Sequence, residues 1–378
     1  MKRTLVAVAV AAFAATSANA ATVYNQDGTK LDVSGSVRVM LNKKTDQRTD
    51  LQNDGSRVKF KFSQNIGEGL SALGYIELRP SGDDFDDGIV TKKVYAGLKA
   101  ADVGTLTFGK QATAADNFKL ADPTEQGWSS VDGAKFKVRK VKLALIDPTK
   151  DTVKVDKNMP IYDLDNVETK SFGLPTSGKK VINFTSANWN GFGFQTSYVF
   201  ADDANNDSLN TRTWQGLFTY ENKFNEDLGV KAHALYSHAK VGEDASHKVW
   251  GLAAGVDYAG LGLAVDYTHS KLEDLKAKTW EIAATYQVSE PLDVYLTYTD
   301  SKADQLALIQ LPEIDNGVLK ATDEYKAVIN EGVKTKAISL GAHYQVAKNV
   351  QTYVEYSTKK VDKADRENGY YAGLRVFF

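Results

Sequence analysis

The sequence predicts an all-β fold, a sixteen-stranded antiparallel transmembrane barrel. Three observations predict it. Segments of roughly ten residues alternate apolar and polar side chains, the period that turns one strand face to lipid and the other to water. The connections between those segments alternate short and long. The chain also opens with an export signal, contains no cysteine, and after the signal has no apolar run long enough for a membrane-spanning helix.

Met1, Lys2 and Arg3 precede an apolar run from Leu5 to Ala15 and then Ala18-Asn19-Ala20. A basic start, a short apolar core and an A-x-A site read as a secretory signal peptide over 1–20, leaving 21–378 as the exported part. Removing Lys2 and Arg3 takes the formal charge from -2 to -4. The mean hydropathy of -0.36 resembles that of a soluble protein. A barrel with a wet lumen gives the same average, because apolar outer residues alternate with polar inner ones. Lys plus Arg (46) balance Asp plus Glu (48), so no nucleic-acid partner is indicated.

In the first segment, Asp32 to Asn42, Val33, Gly35, Val37, Val39 and Leu41 share one face, and Ser34, Ser36, Arg38 and Met40 the other. Arg57 to Gln64 sets Val58, Phe60 and Phe62 against Arg57, Lys59 and Lys61. Three cations on one strand face tolerate each other only in a well-solvated setting. Leu70 to Arg79 repeats the alternation, and Lys92 to Lys99 and Thr105 to Lys110 follow. From Gln111 to Lys179 the beat stops. It resumes with Lys180 to Asn188, Gly191 to Phe200, Thr213 to Glu221, Leu228 to Ala239, Lys248 to Tyr258 and Leu261 to Ser270. Thr279 to Val288, Leu292 to Thr299, Ala337 to Val346, Val350 to Thr358 and Gly369 to Phe378 complete the set.

The connections carry the more specific signal. Asn65 to Gly69, Ala101 to Gly104, Trp189 to Gly191, Asn222 to Asp227, Ala259 to Gly260, Ser289 to Pro291 and Ala347 to Asn349 are tight turns. Between them lie longer polar loops: Lys43 to Ser56, Pro80 to Thr91, Ala201 to Arg212, Lys302 to Lys334 and Lys359 to Asn368. Strict alternation puts all turns at one end of a barrel and all loops at the other, an asymmetry that a soluble sandwich gives no reason for. Trp189, Tyr220, Tyr258, Trp280 and Tyr356 fall near strand ends, where interfacial aromatics belong.

The interruption divides in two. Its first part runs to about Ser130. The second contains Val138 to Ile146, the turn Asp147-Pro148-Thr149-Lys150, and Thr152 to Val155, which reads as a small inserted hairpin. These arms are shorter than the ~9–11 residues of a tilted span, so the hairpin belongs to the loop; the alternative is an eighteen-stranded barrel. Lys135, Lys137, Arg139, Lys140 and Lys142 would add positive charge near the mouth.

The last strand places Tyr370, Ala372, Leu374, Val376 and Phe378 on one face and resembles the terminal strand of Gram-negative outer-membrane proteins. Val23-Tyr24-Asn25, Gly28-Thr29-Lys30, Gly55-Ser56-Arg57-Val58 and Leu70-Ser71-Ala72-Leu73-Gly74-Tyr75 with Glu77 extend the likeness. So do Tyr95-Ala96-Gly97-Leu98-Lys99, Asp102-Val103-Gly104, Phe108-Gly109-Lys110, Asn190-Gly191-Phe192 and Gly373-Leu374-Arg375-Val376-Phe377-Phe378. In order and spacing these resemble the trimeric general-diffusion porins, particularly the major porins of Pasteurellaceae type. The resemblance implies a long third external loop folded into the lumen, with acidic residues facing basic residues on the wall. It also implies a homotrimer in outer-membrane lipid, assembly through the strand ending at Phe378 by the barrel-assembly machinery, and passage of small hydrophilic solutes.

On that reading the wall set is Arg38, Arg57, Lys59, Lys61, Arg79 and Lys92. The loop set is Asp116, Asp122 and Glu125, in the first half of the loop where the family places its acids. Cations facing carboxylates across a pore create a transverse field that sets charge preference. A basic residue is usual in the first strand after the loop; here Asn183 or Thr185 holds that place, with Lys179 and Lys180 at the strand end. Asp83-Asp84-Phe85-Asp86-Asp87 and Asp202-Asp203-Ala204-Asn205-Asn206-Asp207 lack full calcium-loop spacing. His233 and His238 face opposite sides of one strand, while His247, His269 and His343 stand apart by spacing. No catalytic set, cofactor or metal site is therefore expected. The function expected is passive diffusion, and the alternative is a structural or adhesive barrel with a plugged lumen.

Overall fold

A computed structural model describes residues 20–83, 85, 88–127, 136–141, 168–200, 211–241, 245–315 and 318–378. The chain starts with β1 (Ala21–Gln26), folded back on β2 (Thr29–Lys44), and β3 (Asp50–Asn53) adds to the far half of β2. The wall continues through β4 (Arg57–Gly67), β5 (Leu70–Pro80), β6 (Ile89–Ala100) and β7 (Gly104–Ala112). Two short strands, β8 (Phe136–Val141) and β9 (Glu168–Phe172), precede β10 (Ser177–Ser186), β11 (Phe192–Val199), β12 (Thr211–Lys223) and β13 (Leu228–Val241). Then come β14 (Ala245–Tyr258), β15 (Leu261–Leu272), β16 (Leu275–Ser289), β17 (Leu292–Asp315), β18 (Val318–Ala347), β19 (Val350–Val361) and β20 (Glu367–Phe377).

Sixteen of these close into one ring. Each neighbour pairs antiparallel, and β7 pairs directly with β10, so β8 and β9 stay outside the wall and the eighteen-stranded alternative falls. The seam is β2: residues Thr29 to Ser36 pair with β4, and Ser36 to Lys44 pair with β20. Gly35 and Phe378 exchange backbone hydrogen bonds of 2.8 and 3.1 Å there. A Cβ on Gly35 would lie 2.5 Å from both the Phe378 ring and the Arg57 carbonyl, so only glycine fits the seam.

The faces are inside-out relative to a soluble protein. Leu252, Val256, Leu263, Ile282, Leu296, Leu340 and Val354 point outward and are 38–58 % exposed. Gln195, Gln215, Thr297, Ser339 and Glu355 are buried on the inner face. A continuous apolar belt of this kind is stable only against lipid. Closure leaves the backbone of every wall strand paired on both sides, which the bilayer interior demands.

Two regions differ from the sequence expectation. Residues 302–334, expected as a loop, are almost wholly strand: β17 and β18 stay paired to Asp315↔Val318 and form a hairpin projecting past the wall. Beyond the membrane a ladder no longer needs an apolar face, so the alternation that marks a span fades there. The partner of β8 is β9, antiparallel, with Phe136 opposite Phe172, and β8 also lies parallel to Leu306–Ile309 of β17. The expected turn at 147–150 and the arm at 152–155 lie outside the described residues, as do the acidic run 202–207 and Asp84, Asp86 and Asp87.

Candidate functional site

After β7 the chain does not cross to the next strand but runs along the inside of the wall. The Ala114 amide donates to Ser197 Oγ (2.7 Å) on β11, Ala115 N to Gln215 Oε1 (3.2 Å) on β12, and Asn117 Nδ2 to Gln195 Oε1 (2.8 Å). Leu120 N and Ala121 N donate to the Asp266 carboxylate on β15 at 3.1 and 2.9 Å. Glu125 N donates to Glu355 Oε2 (2.7 Å) on β19. The buried wall side chains thus satisfy the amides of a segment that has no ladder of its own.

An apolar seat fixes the middle of this segment. Phe118, Ala114 and Ala115 pack on Leu217, Leu235, Val249 and Ala253, inward-facing residues of β12 to β14, with Leu174 beside them. Phe118 is 1 % exposed. Its ring lies where a Cβ on Gly251 would come within 2.6 Å. His233 Nδ1 lies 3.0 Å from the Phe118 carbonyl oxygen, and its Nε2 3.0 Å from Glu221.

The end of the segment sits in a charged cluster. Both Glu125 oxygens accept from the Arg375 guanidinium, and Oε1 lies 2.9 Å from His343 Nε2. Arg375 also donates to Asp54 Oδ2 (2.8 Å) and covers the Tyr353 ring at 4.6 Å. Burial pushes the Glu125 carboxyl up, but hydrogen bonds and attraction from His343 and Arg375 outweigh it and hold it at about 2.

Arg38, Arg57 and Arg79 line one cavity with Glu125, Asp54 and Arg375. Arg79 Nε donates to Glu77 Oε1, and Arg57 Nη1 lies 4.0 Å from the same oxygen. Arg38 Nε donates to Ser36 Oγ (2.8 Å). Lys59 stands opposite Glu77 in the β4–β5 register, and Lys61 opposite Tyr75, further along the same face and more exposed.

Lys92 is displaced from the expected set. A register shift after Glu77 places Lys93, not Lys92, opposite that carboxylate, and a bulge of this kind turns the next side chain to the other face. Of the loop acids, Glu125 joins the arginines. Asp122 pairs instead with Lys119 at 3.3 Å, and Asp116 is exposed on the 3₁₀ turn Ala114–Asn117. Asn183, at the place where a basic residue is usual, accepts from Gln195 and Ser197. Sequence reasoning missed Glu77, Asp54, Arg375, Glu355 and His343. Inward parity was the available signal for Glu77, Glu355 and Arg375.

A family model described as Gram-negative porin matches residues 7–364. The major outer membrane protein of Pasteurella multocida strain Pm70 is 34 % identical over 415 residues, with both chains covered completely. A second Pasteurella multocida major outer membrane protein is 35 % identical over 333 residues, covering 79 % of this chain and 83 % of its own. Among solved structures, the anion-selective porin of Comamonas acidovorans shares the fold at a TM-score of 0.62 and 15 % identity, covering 93 % of this chain and 100 % of its own. Salmonella typhi OmpF in complex with daunomycin does so at 0.61 and 18 %, covering 95 % and 100 %. A closed sixteen-stranded ring, a lipid-facing belt, a charged polar interior and this kinship converge: the chain belongs to the Gram-negative porin family and is a diffusion channel of the outer membrane.

Proposed function

We propose that the channel passes ions and small hydrophilic solutes through a lumen narrowed by the segment that begins at Gln111, with a weak preference for anions. One observation carries the preference. Glu125 is committed to Arg375 and His343, while Arg57 and Arg79 share the single carboxylate of Glu77 and Arg38 bonds only to a neutral hydroxyl, that of Ser36, so the three wall arginines outnumber the carboxylates left to face them. An arginine-rich wall lowers the cost of partly dehydrating an anion and raises it for a cation. In a planar bilayer under a salt gradient, Arg38→Gln, Arg57→Gln and Arg79→Gln together shift the reversal potential toward cation selectivity. An unchanged potential overturns the assignment.

The working unit in this reading is a homotrimer, formed after residues 1–20 are removed on export. Outward faces of β10 to β20 carry Trp214, Tyr236, Trp250, Trp280 and Tyr344, and Trp189 is exposed in the turn between β10 and β11. Those of β2 and β4 to β7 carry Val, Leu, Ile, Phe, Ala and Gly but neither Tyr nor Trp, since Tyr75 and Tyr95 stack inside at 5.0 Å. An arc whose wall strands carry no Tyr or Trp, with Tyr24 on the flanking β1 as the exception, suits contact with protein rather than with the headgroup layer. The fold is shared with Vibrio cholerae OmpT, solved in a trimer form. Conductance insertions in groups of three steps support the trimer, and single uniform steps sink it.

A further inference from the structure

A wet lumen calls for polar side chains, and the inner wall departs from this where something covers it, as the inward segment covers Leu217, Leu235 and Val249. It departs again on β5 and β6, on the turn side of the arginine cavity. There Leu73, Tyr75 and Tyr95 share the inward parity of buried Glu77. Tyr75 and Tyr95 stand directly opposite each other, and their rings stack at 5.0 Å with 17° between the planes. Tyr75 Oη donates to Glu77 Oε2 at 3.0 Å, which fixes the first ring.

This patch stays open to the lumen. The inward segment takes its anchors from β11, β12, β15 and β19, and Leu73, Tyr75 and Tyr95 are only half-buried. Gly109 follows Tyr95 in the same cross-strand row, and Gly97 follows Leu73 in the next. With no side chain at either place, the rings are not walled off on that side.

Lysines flank the patch. Lys61 on β4 stands directly opposite Tyr75, where side chains start about 4.5–5.5 Å apart at Cβ. One row toward the loops, Lys59 and Lys93 stand on either side of Glu77, whose carboxylate already accepts from Arg79. Asp32, across from Lys61 on β2, is bonded to Lys30 and Thr22 at 2.7 Å each. None of Lys59, Lys61 and Lys93 forms an ion pair with a described residue.

An apolar platform edged by lysines fits a solute that has both a flat C–H face and a negative charge. The negative face of an aromatic ring attracts the C–H groups of a sugar ring, while lysine takes a carboxylate at its edge. The hydroxyls of that ring stay in lumen water. An open-chain anion gains the charge contact alone, and a neutral sugar the ring contact alone. We infer that Tyr75, Tyr95 and Lys61 form a transient binding site for sugar acids in the pyranose form, below the constriction on their way to the periplasm. The inference rests on the proposed passage of small hydrophilic solutes, and not on the ion preference of the arginine wall.

Glucuronate, gluconate and methyl glucoside test it, since they present the ring with the charge, the charge without the ring, and the ring without the charge. Saturation-transfer NMR on the detergent-solubilised protein reads contact with the ring protons, and solute-induced current blockade in a planar bilayer reads residence in the pore. The expected result is saturation of the glucuronate C–H protons and an apparent affinity several-fold above that of either comparison solute. Tyr95→Val removes the gap between glucuronate and gluconate, and Lys61→Gln weakens glucuronate several-fold; heat-modifiable gel mobility checks that each variant folds. Equal affinity for glucuronate and gluconate overturns the inference, as does a gap that survives in folded Tyr95→Val. If that variant does not fold, the three solutes on the unmodified protein still decide. A protein that passes no salt current sinks the proposed passage instead, and the NMR comparison, which needs no current, then decides the site by itself.

Discussion

His343 Nε2 lies 2.9 Å from Glu125 Oε1 while its Nδ1 lies 2.7 Å from Asp293 Oδ2, so one ring bridges the inward segment and the barrel wall. Both ring nitrogens face carboxylate oxygens, which makes both of them donors and the ring an imidazolium. His343→Gln removes the charge and keeps at most part of the hydrogen bonding. Loss of one member of a buried charged cluster costs about 3 kcal/mol of docking. The expected outcome is a noisier open channel of raised conductance with the barrel intact. A trace indistinguishable from the unmodified channel would show that Arg375 and Glu355 hold the segment unaided.

Acid acts on the same latch with a defined sign. Hydrogen bonds and attraction from His343 and Arg375 hold the docked Glu125 carboxyl at about 2, below the 4.5 of a free glutamate. A depressed carboxylate stabilises the docked state fully above its free pKa and loses that contribution as pH falls through about 4.5 toward about 2. At about 1.4 kcal/mol per unit, the shift is on the order of 3 kcal/mol. Conductance noise should therefore rise between about pH 4.5 and pH 2. Asp54, Asp293 and Glu355 face the same cluster, so the discriminating measurement is Glu125→Gln: it should show the noise already at neutral pH and a flatter acid limb.

Glu77 is the counter-charge of the basic wall. It is 2 % exposed and accepts from Arg79 and from Tyr75 (3.0 Å). Glu77→Gln keeps the shape but leaves Arg57 and Arg79 with less compensation. Anion preference should increase, read as a reversal potential moved opposite to that of the arginine variants. Thermal stability should fall by about 2 kcal/mol, within the range for a charged partner lost from a buried site.

The wall was legible because a lipid-facing strand must show an apolar residue at every second position, as Leu261, Leu263, Val265 and Tyr267 do. What escaped has physical causes. The β17–β18 extension stands clear of the bilayer, so nothing forces it to alternate. Lys93 replaces Lys92 because a bulge leaves no mark in periodicity. His343 stood apart by spacing because Glu125, which it shares with Arg375, reaches it only once the ring closes. One cue was present and unread: Leu217, Leu235 and Val249 are apolar on the inner parity, where a wet lumen calls for polar residues. That breach of pattern marked the seat of the inward segment.

The seat itself yields a test of what positions the segment. Phe118 closes over Gly251 so tightly that any Cβ there would lie 2.6 Å from its ring, well inside van der Waals contact. Gly251→Val should expel Phe118, whereas the β13–β14 and β14–β15 ladders, made by backbone groups, remain. Phe118→Ala removes the same anchor from the other side, at about 3–5 kcal/mol for a buried ring. Each single variant should expose 112–127 to protease added from the loop side and raise conductance. The double variant should do no more than either alone, because both act through one contact and their costs do not add. Additive protease sensitivity would mean that Gly251 serves the wall and that Phe118 anchors the segment through other partners.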